Sequence, residues 1–498
     1  MRILSNLPKG TKRLYAICLH LAIGASIWGY NIGILSSILV HPGWRETLQD
    51  PTPAQKGLIT GIYYLGTFLS YIFLSHPLAD YLGRRYAAMI GTCTLSLGAI
   101  LMAAARGDGA VGMMALGRWV CGLGVGVVST TVPLYQSEIS PAKERGKFVT
   151  MNHVGFIAGL ASGLWVGYLM TFWTSNAGKF WGWRLSILIQ CIPAVTFTTG
   201  LLFLPETPRW LLEKGDMEQA SKVLHRLRQD TIPAESITHE LHAIAADIES
   251  RHKAGTTFLS LSLSLSFMAQ MCGATAMKYY LPTLLKALGL NYRLALMAGA
   301  VEMTVKIGMT IVEMWAIDRF GRRTCLTGGS LIMGVAMLVN GFLPMLYAGN
   351  KSKVADVICI VFIFIYAMGY SLGLGPAAWV YSSEIFPTSV RARGLNFAAS
   401  GGSIGSILVS QIWPVGNAKF GSGIYLFFMV VNFTCVPIIW LLYPETKGRA
   451  LEDMDSLFGK GEDRNATVPL GGVIDGAGQD ADVPSARSSN EEDEPLLS

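Results

Sequence analysis

Residues 302–313 read EMTVKIGMTIVE, between the apolar stretches ALMAGAV and MWAI. Glu302, Lys306 and Glu313 stand at i, i+4 and i+11, which puts all three on one face of an α-helix. An ionisable side chain inside a membrane-length apolar segment faces a cavity or a partner, because lipid cannot solvate it. Two chemistries follow. Glu302 and Lys306 can neutralise each other and hold helices together. Alternatively the lysine supplies a fixed cation for an anionic cargo while an acid carries a proton. Arg118 and Lys278 are the other basic side chains inside apolar runs, and His153 adds a ring that titrates near neutrality. No phosphate loop, metal cluster or nucleophile triad is visible. An enzyme, a metal and an organic cofactor are therefore not expected, and protons are the expected coupling ion.

The elements that must position these groups are long and apolar. The 498 residues are 51% hydrophobic and 14% charged, with 55 glycines, 21 methionines and mean hydropathy +0.42. A soluble domain would carry about 25% charge. Twelve runs are long enough to span a bilayer: about 14–38, 57–78, 86–105, 111–134, 147–170, 184–204, 257–281, 294–317, 324–347, 354–380, 394–415 and 422–443. The expectation is an all-α membrane protein, the first run being a span and not a cleaved signal. With the N-terminus inside, the head, even-numbered loops, central insert and tail hold 26 of the 39 Lys and Arg, the opposite loops 10 and the spans 3. That asymmetry predicts both termini in the cytoplasm and explains the net charge of +6 without nucleic acid. All eight cysteines lie in or beside spans without a CxxC pair, which argues against a disulfide framework.

The chain also repeats itself. LADYLGRR (78–85) returns as AIDRFGRR (316–323), YQSEISPAKERGK (135–147) as YSSEIFPTSVRARG (381–394), and LPETPRW (204–210) as YPETKGR (443–449). Three motifs in one order, offset by about 240 residues, predict two six-helix bundles related by duplication. The expected domains are 1–205, a cytoplasmic helical insert 206–256, a second bundle 257–443 and a tail 444–498, disordered from about 459. The tail ends EEDEPLLS, a candidate acidic dileucine read by a sorting adaptor, and Asn350 in NKS is a candidate glycan site.

Each repeated motif joins acids to arginines at helix ends, as a gate on the inner face would require. The candidates are Asp80, Arg84, Arg85, Glu138, Arg145, Glu206 and Arg209 in the first half, and Asp318, Arg319, Arg322, Arg323, Glu384, Arg391 and Glu445 in the second. Glu206 and Glu445 are placed to meet the arginines. Glycine runs at 122–126, 373–375 and 401–405, with Pro133, Pro376 and Pro414, are candidate packing points or hinges.

GRR after spans 2 and 8, GRWVCGLGVG (117–126), PETPRW and PETKG together resemble the sugar porter family of the major facilitator superfamily, over about 10–455. NIGILSSILVHPGW (31–44) and NHVGFIAGLASGLWVGY (152–168) resemble its fungal branch. The resemblance implies the major facilitator fold, monosaccharide transport by alternating access in the plasma membrane, and a midplane site dominated by the second half. Carried over position by position, that site holds His153, Gln270, Thr275, Tyr279, Tyr280, Lys306 and Trp379. The chain departs from the family repeatedly. His153 stands for a glutamine, Ala269 for the first of two glutamines, Thr275 for an asparagine and Lys306 for another asparagine. Ser371 stands for a glutamate, and Gly402 and Ser403 for an Asn-Trp pair. Asn31 stands where many proton-coupled members have aspartate, and Arg118 matches the family's buried arginine.

These exchanges remove neutral hydrogen-bonding amides and add charge. A neutral hexose loses partners, whereas a carboxylate gains a counter-charge. The expected cargo is a sugar acid such as D-galacturonate. Its entry against an inside-negative potential is opposed by about 2.3 kcal/mol per 100 mV and charge, so at least one proton must accompany it. Candidates for coupling are Glu302, Glu313 and His153, with Arg118 and Asn31 nearby. The alternative cargo is a neutral monosaccharide such as glucose, xylose or arabinose, by symport or facilitated diffusion. A non-transporting nutrient receptor is the minor alternative.

Overall fold

A computed structural model describes residues 8–141, 145–231, 233–249, 256–347, 353–386 and 391–446. The described residues form an all-α protein with twelve spanning helices. These are α1 (Lys9–Ile38), α2 (Pro53–Leu82), α3 (Arg84–Ala103), α4 (Ala110–Ile139), α5 (Arg145–Met170), α6 (Asn176–Phe203), α7 (α7a Thr256–Met271 and α7b Ala274–Ala287), α8 (Tyr292–Phe320), α9 (Arg322–Leu346), α10 (α10a Lys353–Leu372 and α10b Pro376–Ile385), α11 (Arg391–Phe420) and α12 (Gly423–Leu442). By length and hydropathy alone ten helices qualify as spans, and α8 and α11 do not. Helix α8 fails for a physical reason: it carries Glu302, Lys306 and Glu313. Its outer stripe of Val301, Val305, Val312 and Trp315 is exposed, while Glu302 and Glu313 are buried. One helix thus offers lipid an apolar face and the interior a charged one.

Within the first half α1 packs on α5, and α4 on α2 and α3. In the second half α7a packs on α11, and α9 on α10 and α12. The halves meet along α2–α11 and α5–α8, which are equivalent pairs under the sequence repeat. Close approach depends on the glycine runs. A Cβ at Gly124 would strike the Gly91 carbonyl oxygen, and one at Gly401 the Leu263 carbonyl oxygen. The runs at 122–126 and 401–405 therefore sit inside unbroken helices, whereas 373–375 is a true break in α10.

Three short helices, Pro208–Glu213, Met217–Arg228 and Ala234–Glu249, follow α6. Asp216 caps the second, accepting from the Gln219 N–H at 3.0 Å. Arg228 ties the set together. It pairs with Glu240 at 2.7 Å and donates to the Ile139 carbonyl at the end of α4 at 3.0 Å. The second helix also meets the start of α1, through Arg13 donating to the Arg226 carbonyl at 2.8 Å. Asn350 and the acidic dileucine lie outside the described residues.

Two predictions test this frame. Gly83 opens α3 at φ +96°, a conformation that favours glycine, and an added Cβ would lie 2.8 Å from Glu206 Oε2. Gly83→Ala should cost about 1–3 kcal/mol, read as a lower melting temperature in detergent. His41 lies outside the spans, buried, with Nδ1 accepting from the Gly43 N–H at 3.2 Å. Burial holds its ring down, from the ordinary 6.5 to about 4. The folded chain thus keeps the ring neutral where the unfolded chain would protonate it. Its contribution is present above pH 6.5 and lost as pH falls from 6.5 through 4, up to about 3 kcal/mol. His41→Asn should flatten stability across that window in thermal melts at stepped pH.

Candidate functional site

A small cavity opens between α7b, α8 and α10a, lined by Lys278, Glu302, Lys306, Tyr366 and Tyr370 among others. Lys278 and Lys306 approach the ring of Tyr370, with Nζ 5.2 and 5.3 Å from its centroid, distances at which a cation interacts with a ring face. Lys306 Nζ stands 3.7 Å from Glu302 Oε1, and Glu302 Oε2 has no hydrogen-bond partner. Among the described residues no carboxylate pairs with Lys278. Two ammonium groups and one carboxylate thus share the wall. The cavity holds about one water molecule rather than a sugar ring, so loading a larger cargo requires the lysines to swing or α7b and α10a to part.

Around this core the other candidates divide. His153, on α5 of the first half, lies within Coulombic reach of both Lys278 and Lys306 and packs on Phe156. Gln270 Oε1 accepts from Thr275 Oγ1 at 3.0 Å. Thr275 Oγ1 also bonds the Ser406 hydroxyl at 3.0 Å and is fully buried, which leaves it engaged. Glu313 is buried below the cavity, where Oε1 accepts the Ala377 N–H at 3.2 Å at the start of α10b. Trp379 is half-exposed and outside the lining.

The two tyrosines of α7b are used elsewhere. Tyr279 OH accepts from Arg118 Nη2 at 3.0 Å, and Tyr280 OH bonds Thr60 at 3.0 Å. Both bonds join the halves, so the hydroxyls are buried at the interface and not at the cavity wall. Arg118 also donates to Asn31 Oδ1 at 2.6 Å and lies over the Tyr63 ring at 4.2 Å. Asn31 in turn donates to Gln190 Oε1 at 2.9 Å. The guanidinium is fully buried, and no carboxylate pairs with it among the described residues. Amide, phenol and ring face take the place of an anion.

Further bonds between the halves are Thr67–Ser403 at 2.8 Å, Trp165–Thr304 at 3.1 Å and Arg293 to the Thr171 carbonyl at 3.2 Å. With Tyr280–Thr60 they run from the midplane to the face away from the N-terminus, and α7b packs on α1 there. On the terminus-bearing face the halves touch where Arg393 reaches His76 at 2.5 Å and Asp80 at 3.8 Å.

The gate candidates form two matching clusters, each within one half. Glu206 accepts the backbone N–H groups of Arg84 (2.8 Å) and Arg85 (3.2 Å). Glu445 accepts those of Arg322 (2.9 Å) and Arg323 (3.0 Å). Each acid therefore caps a helix N-terminus through the arginines' backbone N–H groups. Burial pushes the Glu206 carboxyl up, against the three backbone donors that hold it down. The Arg84 side chain pairs instead with Glu138 at 2.9 Å, Glu213 at 3.4 Å and Asp80 at 3.8 Å. Arg209 meets Glu213 at 3.7 Å, and Arg85 donates to the Leu204 carbonyl at 2.9 Å. Arg323 reaches the Trp440 carbonyl, and Arg319 lies over the Trp315 ring at 5.4 Å. The side chains of Arg145, Asp318, Glu384 and Arg391 lie outside what the structure describes.

The model of the family described as sugar (and other) transporter matches residues 17–458. The chain belongs to this family, within the major facilitator superfamily. This transporter is 32% identical over 478 residues to a probable quinate permease of Aspergillus niger, covering 90% of this chain and 88% of that protein. It is 30% identical over 450 residues to the MFS-type transporter criB of Aspergillus cristatus (88% and 91%), and 28% identical over 476 residues to the sugar transporter STL1 of Saccharomyces cerevisiae (91% and 82%). Among solved structures it is similar in fold to the xylose transporter XylE of E. coli in a partially occluded inward open conformation. There the TM-score is 0.76 at 22% identity, covering 88% of this chain and 99% of that one.

Sequence reasoning paired Lys306 with Glu302, which the structure places 3.7 Å away, and missed Lys278 and Tyr370 beside them. Lys278 was visible as a basic residue in a span, but its neighbours Tyr279 and Tyr280 drew the attention to themselves. Tyr370 had no signal beyond its place before Ser371, and Gln190 and Thr60 had none. A prediction follows for the interface. Tyr279→Phe leaves Arg118 Nη2 buried without an acceptor, at a cost of about 1–3 kcal/mol. The seal between α1, α4 and α7b should loosen. In a cysteine-free background, labelling of Leu281→Cys from the face away from the termini should quicken severalfold.

Proposed function

We propose that this chain is a secondary transporter that imports a hydroxylated carboxylate, a sugar acid such as D-galacturonate first, together with protons by alternating access. It would sit in the plasma membrane with both termini cytoplasmic. The observation that carries this reading is the pair of ammonium groups, Lys278 and Lys306, both close to the Tyr370 ring, with Glu302 the one carboxylate in the cavity lining. A carboxylate entering between them would gain charge-assisted hydrogen bonds, and the ring of Tyr370 offers an apolar floor. The relative named as a quinate permease supports this, since quinate is itself a hydroxylated ring carboxylate. Relatives named sugar transporters favour a neutral sugar as the second reading, for which the amide of Gln270 and the hydroxyl of Tyr370 would be the polar contacts.

The arginine clusters on the terminus-bearing face would serve as the gate. In the present arrangement the bonds between the halves lie mainly on the other side. The inward-facing state would be held by Tyr280–Thr60 and Arg118–Tyr279, and would give way as the two halves rock.

Uptake into carrier-null cells decides between the cargoes, using labelled D-galacturonate, quinate, glucose and xylose with and without a protonophore. The acids should be taken up and the protonophore should abolish accumulation. Lys278→Gln and Lys306→Asn should each reduce acid uptake about tenfold or more, the scale of a lost charged hydrogen bond of roughly 1.5–3 kcal/mol. Unchanged acid uptake in both variants would remove the charge argument, and neutral sugars outcompeting the acids would select the second reading.

A further inference from the structure

We infer that Glu313 is the proton carrier of this transporter and that it works as a latch on the break in α10. The inference deepens the proposed function and rests on the reading of the chain as proton-coupled.

The geometry centres on one hinge. Helix α10 stops at Leu372 and restarts at Pro376, with Gly375 turned to ψ −104° and its N–H bonded to the Tyr370 carbonyl at 2.9 Å. On one side of this break stands Tyr370, whose ring is approached by both ammonium groups of the cavity. On the other stands Ala377, whose N–H points at Glu313 Oε1 at 3.2 Å. Pro376, the first residue of α10b, has no N–H to offer, so Glu313 takes the first donor available. Its second oxygen is buried without a partner, and the residue is fully buried. A carboxylate so placed is held by the helix N-terminus when ionised and grips it less when protonated.

Charge arithmetic connects the latch to the cargo. Among the described residues, the titratable groups within electrostatic reach of Glu313 are Lys306 two turns back on α8, Tyr370 on α10a and Cys325 on α9. With Glu302 and Glu313 both ionised, Lys278 and Lys306 are balanced and the region is neutral. A proton taken from water by Glu313 forms an O–H bond, frees one positive charge for a carboxylate cargo, and loosens α10b in the same step. Delivery of the cargo on the far side returns the proton to water and restores the grip. One proton then accompanies one monoanion, and the cycle moves no net charge. Glu302 is a poorer carrier, because Lys306 stands against it directly at 3.7 Å.

The test uses the full chain in proteoliposomes, with labelled D-galacturonate and D-xylose as probes. A one-unit pH gradient should drive about tenfold accumulation of the transported probe by the wild type, the limit for one proton per cargo. For galacturonate an imposed potential alone should drive none. Glu313→Gln should accumulate nothing above the outside concentration, while counterflow in the same vesicles reports whether the carrier is folded. Glu313→Asp covers the case in which the glutamine variant does not fold. It should still accumulate the probe, with the pH midpoint displaced. Tenfold accumulation by Glu313→Gln, or a Glu313→Asp midpoint identical to wild type, overturns the inference. If the wild type accumulates xylose and not galacturonate, the sugar-acid reading fails while the Glu313 test stands on xylose. Exchange of both probes without accumulation by the wild type overturns coupling and latch together.

Discussion

The structure depends on the cost of placing charge at membrane depth. The ionisable side chains of Arg118, Lys278, Glu302, Lys306 and Glu313 lie deep within spanning helices, and each must be satisfied by protein or by water in a cavity. The two halves do this differently. In the first, Arg118 is closed in by Asn31, Tyr279 and the Tyr63 ring and serves as a fixed point between α1, α4 and α7b. In the second, Lys278, Glu302 and Lys306 line a cavity with Glu313 beside it, and one oxygen each of Glu302 and Glu313 is left unpartnered. The first arrangement engages both Nη atoms of Arg118, leaves its buried Nε without a partner, and suits a joint. The second is incomplete and suits a site that changes occupant.

The same logic governs the terminus-bearing face. Six recurring motifs are two copies of one device, in which a carboxylate closes the N-terminus of the helix after a GRR turn. Gly83 and Gly321 adopt nearly equal φ angles, +96° and +91°, and a Cβ at either would collide with the carboxylate that caps it. Tyr135 donates to the Pro205 carbonyl and Tyr381 to the Pro444 carbonyl, a second matched contact. The device fixes α6 to α3 and α12 to α9 and so makes each half move as one body. Contacts between halves on this face involve the exposed Arg393, which is cheap to part.

Much of this was legible because duplication and hydropathy act over long stretches. Twelve spans, two halves and the pairing of GRR with PET could be read from pattern alone. Helix α8 was recognised as a span despite its charges because its flanks and register were apolar, and the fold explains those charges by turning them inward. What could not be read was which neighbour each side chain would choose. Thr275, Tyr279 and Tyr280 lie on positions inherited from a sugar site, yet their hydroxyls are spent on Ser406, Arg118 and Thr60. Such bonds join residues more than 130 positions apart, and no local periodicity records them. Lys278 shows the reverse: a plain departure in composition whose partner, the Tyr370 ring, appears only when α7b and α10a are brought together.

Asn31 sharpens the contrast between the halves. An amide cannot take up a proton, and the guanidinium it serves stays charged throughout the physiological range. The α1–α4 joint is therefore electrically constant through a transport cycle. Any proton that drives this carrier must bind elsewhere, on a group that titrates, is shielded from lipid and touches an element able to move. His153 titrates but adds a third cation when protonated beside Lys278 and Lys306, which raises the cost of the empty site. The acids of α8 lower that cost when ionised and release a cation when protonated, and α8 sits against α5, α7b, α9 and α10 at once. On the proposed reading, an amide in the first half with acids and lysines in the second would put both the proton and the counter-charge on the bundle that forms the cavity. Coupling would then need no long path: the proton and the cargo would act on the same few ångströms of α8 and α10.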